Sequence, residues 1–291
     1  MAIRLETLFP RELERHIATS PVLVLPYGTI EWHSHHLPVG LDGMVAQRMG
    51  EQMAEAMNAV LAPTGYWAVG GVPFPFTLNL PLVEIEKLLA LVLKQHAEMG
   101  FEVLVIFTGH FSLEQTLATK RAALNAMKES RATILPFTTY DLVIDFYSGD
   151  HAGIGETSLM MALRPDLVRF SDWPHAEPLP GVIGADPRPS ANADFGHRIF
   201  NESAARAAFL VSGVRSSTFD RELWIATLEV VVDVLARMRD LRQLLPRDQL
   251  PPITTPDYLQ GWSAVAQGRL TEARECFREK LAALQSSKPV S

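Results

Sequence analysis

Residues 21–28 read Pro-Val-Leu-Val-Leu-Pro-Tyr-Gly. A short apolar run with β-branched Val22 and Val24, no polar alternation and a Gly at its end describes a buried strand. Strands of that kind are found in parallel sheets covered by helices. Asp42 to Met57 carries Ala, Met and Val at helical spacing. Leu82 to Met99 is amphipathic and is stopped by Gly100. Glu102 to Phe107 (EVLVIF) then repeats the buried-strand pattern. Leu113 to Glu129, Thr133 to Thr139 and Thr157 to Leu163 supply a further helix, strand and helix. The alternation predicts an α/β fold, a central parallel sheet sandwiched by helices.

The rhythm ends near residue 165. Ser171 to Asn192 is rich in Pro and lacks periodicity, so it reads as a long loop that crosses the surface or closes over a site. Two helices follow, about Asp194 to Val211 and Arg221 to Leu245. Pro246 to Pro256 holds four prolines and is expected to be a linker. Beyond it, Trp262, Gly268, Leu270, Ala273, Phe277 and Leu281 have the spacing of a helical hairpin of tetratricopeptide type. The predicted division is a main domain at 1–245, a linker at 246–256 and a hairpin appendage at 257–291. A lone repeat unit cannot bury its own apolar face, so the hairpin is expected to pack on the main domain or to bury Trp262 and Phe277 against a neighbouring subunit.

The chain of 291 residues carries 26 Lys and Arg against 33 Asp and Glu, a net charge of -7, and is 47% hydrophobic. That composition excludes a disordered chain. With no basic cluster, it also argues against a nucleic-acid partner. A single cysteine, Cys276, rules out an intrachain disulfide and a thiolate metal cluster, so any metal must sit on His and carboxylate ligands. The N-terminus runs into charged residues at Arg11 to Arg15, and no segment approaches the ~18 apolar residues of a membrane span. No membrane partner and a cytoplasmic setting are the expectation. Neither a GxSxG elbow nor a P-loop is present, which argues against serine catalysis and phosphate cradling.

The chemistry-bearing residues cluster at predicted strand ends, where open α/β sheets place their ligands. After the first strand, Glu31 and His33 are two apart and point to one face of an extended backbone. Asp42 can return to them after the turn at Pro38 and Gly40. A carboxylate, an imidazole and a second carboxylate suit a divalent metal; the alternative is a solvated, histidine-rich turn. His110 emerges on the same rim after the second strand. In the third cluster, Gly149 to Ser158, Asp150, His151 and Glu156 supply an acid/base pair and another ligand, or else a helix cap.

Leu23 to Asp42 (LVLPYGTIEWHSHHLPVGLD) resembles the signature of the creatininase family, with Glu-x-His, His-Leu-Pro and Asp in matching order. Phe107 to His110 (FTGH) is similar to that family's Asn-Gly-His strand end, and Asp150 to Val168 (DHAGIGETSLMMALRPDLV) to its His-Ala-Gly, Glu-Thr-Ser and Arg-Pro-Asp-Leu-Val run. The similarity spans about Leu5 to Leu245 and leaves out the hairpin. It implies a metal-dependent hydrolase with two divalent ions per chain (Zn, Mn or Fe), a small-molecule substrate and a homo-oligomer, often a hexamer. Carried over by position, Glu31, Asp42 and His110 would hold one metal and His33 with a bridging Asp42 the other. Glu156 would complete the second metal or its shell, and His151 would be the proton shuttle. Tyr140, Tyr147 and Asp150 would contact substrate, the two tyrosines replacing tryptophans that wall the creatinine pocket.

The chain departs from the family pattern in three places. Ser112 stands where creatininase has a ligand Glu, the wall residues are Tyr, and the His-x-Phe-Pro-Gly-Thr stretch is degenerate at Pro73 to Thr77 (PFPFT). These departures point away from creatinine. The expected reaction is hydrolysis of a C–N bond in another small cyclic amide or amide-like compound. The alternatives are deformylation, C–C ring opening of a cyclic ketone on the same centre, or a non-catalytic scaffold that kept the fold.

Overall fold

A computed structural model describes residues 2–245 and 254–286. Its centre is a parallel sheet of β1 (Ile3–Arg4), β2 (Val22–Gly28), β3 (Val60–Leu61), β4 (Gly65–Tyr66), β5 (Val103–Thr108) and β6 (Thr133–Thr138). The order is β1-β3-β2-β5-β6, with β4 pairing the far end of β2. Every residue of β2, β5 and β6 is buried, which is why these strands read as continuous apolar runs. The register pairs Tyr27 with Thr108 and Thr108 with Thr138, so three strands end level.

The helices form two groups. α2 (Leu41–Met57) packs on β2 and on α6 (Ala193–Arg215), which packs on α5 (Ile154–Leu163). In the second group α4 (Leu113–Glu129) bridges α3 (Leu82–Glu98), β6 and α7 (Arg221–Leu244). The α/β reading and most boundaries agree with the sequence to within a few residues. Four elements escape it. β1, β3 and β4 have two residues each, too short to carry a period. α1 (Pro10–Thr19) hides in the charged N-terminal stretch, begun by Pro10 and by Glu12, whose carboxylate accepts from the Phe9 N–H at 2.9 Å.

One backbone contact sets the site. A Cβ on Gly28, at the end of β2, would lie 2.4 Å from the Asp42 carbonyl carbon. A Cβ on Gly109, just past β5, would lie 2.0 Å from the Asp42 carbonyl oxygen. Only glycine lets the first turn of α2 wedge between two strand ends, and the wedge delivers Asp42 to their rim.

The hairpin is α8 (Pro256–Ala266) and α9 (Leu270–Ser286), with α9 laid along α7. Trp262 and Phe277 are fully buried with Tyr258 inside this chain, so no neighbouring subunit is needed to cover them. Of the expected linker, positions 246–253 lie outside the described residues, and Pro256 already opens α8. The hairpin is fastened through a buried charge. Lys120 on α4 donates to Asp141 Oδ2 at 2.6 Å, with both side chains fully buried, and its Nζ lies 4.3 Å over the Trp262 ring. The Thr138 N–H also donates to Asp141. Desolvation lowers the Lys120 pKa, and the Asp141 charge opposes that fall.

Lys120→Met should cost about 3–5 kcal/mol, because it strands a buried carboxylate. Adding Asp141→Asn should recover at least about half of that loss, since the stranded charge is then gone. Urea unfolding of the two variants at pH 7 tests this; a double variant no better than the single one refutes the buried-charge account.

Candidate metal centre

The three level strand ends bring the predicted residues to one place. The loop after β2 carries Glu31 and His33 and is closed by a hydrogen bond from the Glu31 N–H to the Val39 carbonyl at 2.8 Å. The wedge of α2 supplies Asp42, the end of β5 supplies His110, and the turn into α5 supplies His151 and Glu156. All six are buried.

Three groups have ligand atoms lying within 4.8 Å of one another: Glu31, Asp42 and His110; His33, Asp42 and Glu156; and Glu31, His33 and His151. Asp42 belongs to the first two, with Oδ2 3.1 Å from His110 Nδ1 and Oδ1 3.1 Å from His33 Nε2. Glu31 Oε2 is 2.8 Å from His110 Nδ1, and Glu156 Oε2 is 3.5 Å from His33 Nε2. Yet His33 Nε2 and both carboxylate oxygens of Asp42 are buried without a well-directed hydrogen bond. Buried polar atoms rarely stay unsatisfied, so carboxylate and imidazole atoms that converge without well-directed hydrogen bonds fit a cation.

The surrounding contacts orient this set. His33 Nδ1 sits 3.0 Å from the Glu31 carbonyl; donating there aims Nε2 at Asp42 and Glu156. Glu31 Oε1 accepts from the Val72 N–H at 2.8 Å, and Glu156 Oε2 from the Ala152 N–H at 2.6 Å. Ala152 adopts a left-handed φ of 50°, a strained value for a non-glycine residue and one often met at functional sites. His151 Nε2 lies 3.0 Å from the Trp32 carbonyl, which leaves Nδ1 facing Glu31 Oε1 at 3.9 Å.

The electrostatics are those of carboxylates lacking a counter-charge. Desolvation would depress His33, but the charges of Asp42, Glu156 and Glu31 outweigh it and lift the imidazole to about 10. His110 is likewise raised by Glu31 and Asp42 against its desolvation. Burial raises Glu156 well above the carboxylate range although His33 pulls it down. Burial also lowers His151 to about 4, helped by the His33 charge, so it stays neutral.

The remaining predicted residues divide. Tyr140 lines a cavity of about 950 Å³ above the cluster, together with Phe111, Gly149 and Asp150. Asp150 also caps α5, accepting from the Gly155 N–H at 2.6 Å and the Glu156 N–H at 3.1 Å. Tyr147 is not among the lining residues. Its ring lies against Gly155 and its hydroxyl donates to Asp150 Oδ1 at 3.1 Å, so it stands behind the wall. Ser112 is committed as the α4 cap, donating to the Val69 carbonyl at 2.7 Å and accepting from the Gln115 N–H.

Sequence reasoning missed the Val72 amide and the cavity wall at Phe74. The consecutive glycines 70 and 71 were the available signal: a Cβ on Gly71 would lie 2.6 Å from Glu31 Oε1. The Pro-rich loop does close over the site, through mutual backbone hydrogen bonds of 2.9 Å between Ile183 and His151.

A family model described as creatininase, creatinine amidohydrolase, matches residues 6–211. Creatinine amidohydrolase of Pseudomonas putida is 29% identical over 208 residues, covering 61% of this chain and 79% of that protein. The mycofactocin precursor peptide peptidase of Mycolicibacterium smegmatis is 29% identical over 210 residues, covering 62% of this chain and 81% of that protein. Among solved structures, creatinine amidohydrolase (creatininase) superposes with a TM-score of 0.63 at 22% identity, covering 74% of this chain and 98% of the other. A manganese form of creatininase superposes with a TM-score of 0.59 at 24% identity, over 72% of this chain and 97% of the other. At these identities the superpositions speak for the fold.

His36 gives a test of how this rim is buried. Its Nε2 pairs with the Thr157 hydroxyl at 3.0 Å, and burial together with the His33 charge lowers it to about 4. Unfolded, it titrates near ~6.5. A depressed histidine contributes stability above the unfolded value and loses it as pH falls through 6.5 toward 4. His36→Gln should therefore flatten the fall in urea-unfolding free energy between pH 6.5 and 4.5 by about one proton. An unchanged slope would show that the imidazole titrates alike in both states.

Proposed function

The chain belongs to the creatininase family of hydrolases, and from that footing we propose that it hydrolyses a C–N bond in a small cyclic amide or amide-like compound at a two-metal centre. One observation carries this reading. Asp42 is shared by two buried ligand groups, Glu31 with His110 and His33 with Glu156, and its oxygens lack a directed donor. Such a set suits Zn, Mn or Fe. Solved creatininase structures include a manganese form and a zinc–zinc form, which supports the same pair of metals here.

Glu31, Asp42 and His110 would hold one cation, and His33, Asp42 and Glu156 the other. Glu156 takes the ligand role because Ser112 is occupied as a helix cap. Bound divalent cations supply an activated water at neutral pH and polarise a carbonyl, which removes the need for a protein nucleophile. His151 does the proton work. Kept neutral and held through Nε2 by the Trp32 carbonyl, it accepts the water's proton at Nδ1 and passes it to the departing nitrogen. Tyr140 and Phe111 pack edge to face at 5.3 Å and give the substrate a flat wall. Asp150, fixed by the α5 amides and Tyr147, also lines the cavity.

A homo-oligomer fits this reading. Val83 and Leu91, both on α3, are exposed by 55% and 61%, apolar side chains that assembly would cover. No helix among the described residues is long and apolar enough to cross a membrane.

Elemental analysis of untagged protein should find two divalent metals per chain, fewer in Glu31→Gln. His151→Ala should keep its metal and lose about 10²–10⁴-fold in turnover. Loss of metal from His151→Ala, or no metal after reconstitution of the wild type, would overturn the assignment. Metal uptake should also acidify an unbuffered solution of metal-free protein at pH 7, because the His33 proton, held to about 10 without metal, must leave. Uptake without proton release would remove His33 from the ligand set.

A further inference from the structure

The family match ends at residue 211, yet the cavity above Glu31, His110, His151 and Glu156 is walled in part by later residues: Arg242 and Leu245 at the end of α7, and Thr254 just before α8. This part of the chain is held firmly. α9 packs along α7, and Trp262 on α8 sits over Lys120, whose partner Asp141 directly follows Tyr140, another lining residue of the cavity. One buried ion pair thus ties the hairpin to the Tyr140 part of the lining.

The charge of this added wall is distinctive. Among the described lining residues Arg242 alone is a lysine or arginine, while the ionisable groups around it include Glu31, Glu114, Asp150 and Glu156. Its guanidinium is exposed and makes no hydrogen bond or ion pair among the described residues. A basic residue in the last turn of a helix has a modest dipole reason to be there. That reason would be met equally on the solvent side of α7 and does not call for a position on the cavity. Size points the same way. About 950 Å³ is near the upper end of the ~300–1,000 Å³ usual for ligand sites and leaves room beyond a bare ring.

We propose that the substrate is an amide carrying a carboxylate remote from the bond to be cut, and that Arg242 binds this carboxylate as a specificity residue. Arginine suits the task because its planar fork pairs with a carboxylate through two parallel hydrogen bonds. The proposal rests on the hydrolase reading for the identity of the scissile group. It does not depend on that reading for the anion. A carboxylate of this kind occurs on a substituted cyclic amide and at the end of a short peptide.

The test uses full-length, metal-reconstituted protein and two matched probe pairs: hydantoin-5-acetate with its carboxamide, and glycyl-alanyl-alanine with its C-terminal amide. Calorimetry on wild type should show the carboxylate member of one pair binding about tenfold or more tightly than its neutral partner. The preference should shrink to within about twofold in Arg242→Gln, return in part in Arg242→Lys, and weaken with added salt. Metal content should match in all three proteins. The pair that shows the preference identifies the cyclic or the peptide source. Equal or unmeasurable affinities within both pairs, or a preference that survives Arg242→Gln, overturns the proposal. A preference that depends on Arg242 in a protein that neither holds metal nor hydrolyses any amide would leave the anion site standing and sink the hydrolase reading.

Discussion

The insertion of the first turn of α2 between the ends of β2 and β5 is the constraint on which the site depends. Gly28 and Gly109 leave no side chain where the Asp42 backbone passes, and a methyl group at either position would occupy the space of that backbone. Interiors packed at crystal density cannot absorb such a collision by small adjustments. The sheet register and the position of Asp42 are therefore one structural fact. Because Tyr27 and Thr108 pair across the sheet, the loops that follow them start side by side. The Asp42 carboxylate then stands between His33, from one loop, and His110, from the other.

Burial makes that arrangement electrostatically unfinished. Glu31, Asp42 and Glu156 lie in a region that water does not solvate, and the histidines answer by holding protons far above their usual range. Proteins seldom keep an ionic cluster of this composition for stability, since apolar replacements of similar volume are often at least as stable. A cation would satisfy the lone pairs and release the histidine protons together. The backbone has also been shaped around the cluster: the Val72 and Ala152 amides are aimed at carboxylate oxygens, the second at the cost of a left-handed alanine.

What could be read from sequence follows the range of the interactions involved. Buried strands and amphipathic helices are local patterns, so β2, β5, β6 and the helices from α2 to α7 were legible to within a few residues, and α8 and α9 as a hairpin without separate bounds. The convergence of the candidate residues was legible because they fall on strand ends and because Glu31, His33 and Asp42 lie within a dozen residues of one another. The roles of Tyr147, Ser112 and Lys120 were not. Each is decided by a partner that composition and period do not mark: Asp150 for the Tyr147 hydroxyl, the Val69 carbonyl for Ser112, and Asp141 with Trp262 for Lys120. The placement of Arg242 is the extreme case. Nothing around it in the sequence distinguishes a cavity wall from the exposed end of a helix.

The capping role of Ser112 and the added C-terminal wall concern the same problem from opposite sides of the cavity. A serine that caps α4 and binds the Val69 carbonyl fastens the loop that leads to Gly71, the Val72 amide and Phe74. A glutamate there would be longer and charged, and would leave that carbonyl without its donor. On the proposed reading ligand duty then falls on Glu156, which is anchored by the turn into α5 and not by the start of α4. On that reading the start of α4 shapes the cavity without holding metal, while α4 itself carries Lys120, the residue that fastens the hairpin. One helix thus borders the pocket at its first turn and holds Lys120 against the hairpin two turns later, so the pocket wall and the hairpin are mechanically coupled through it.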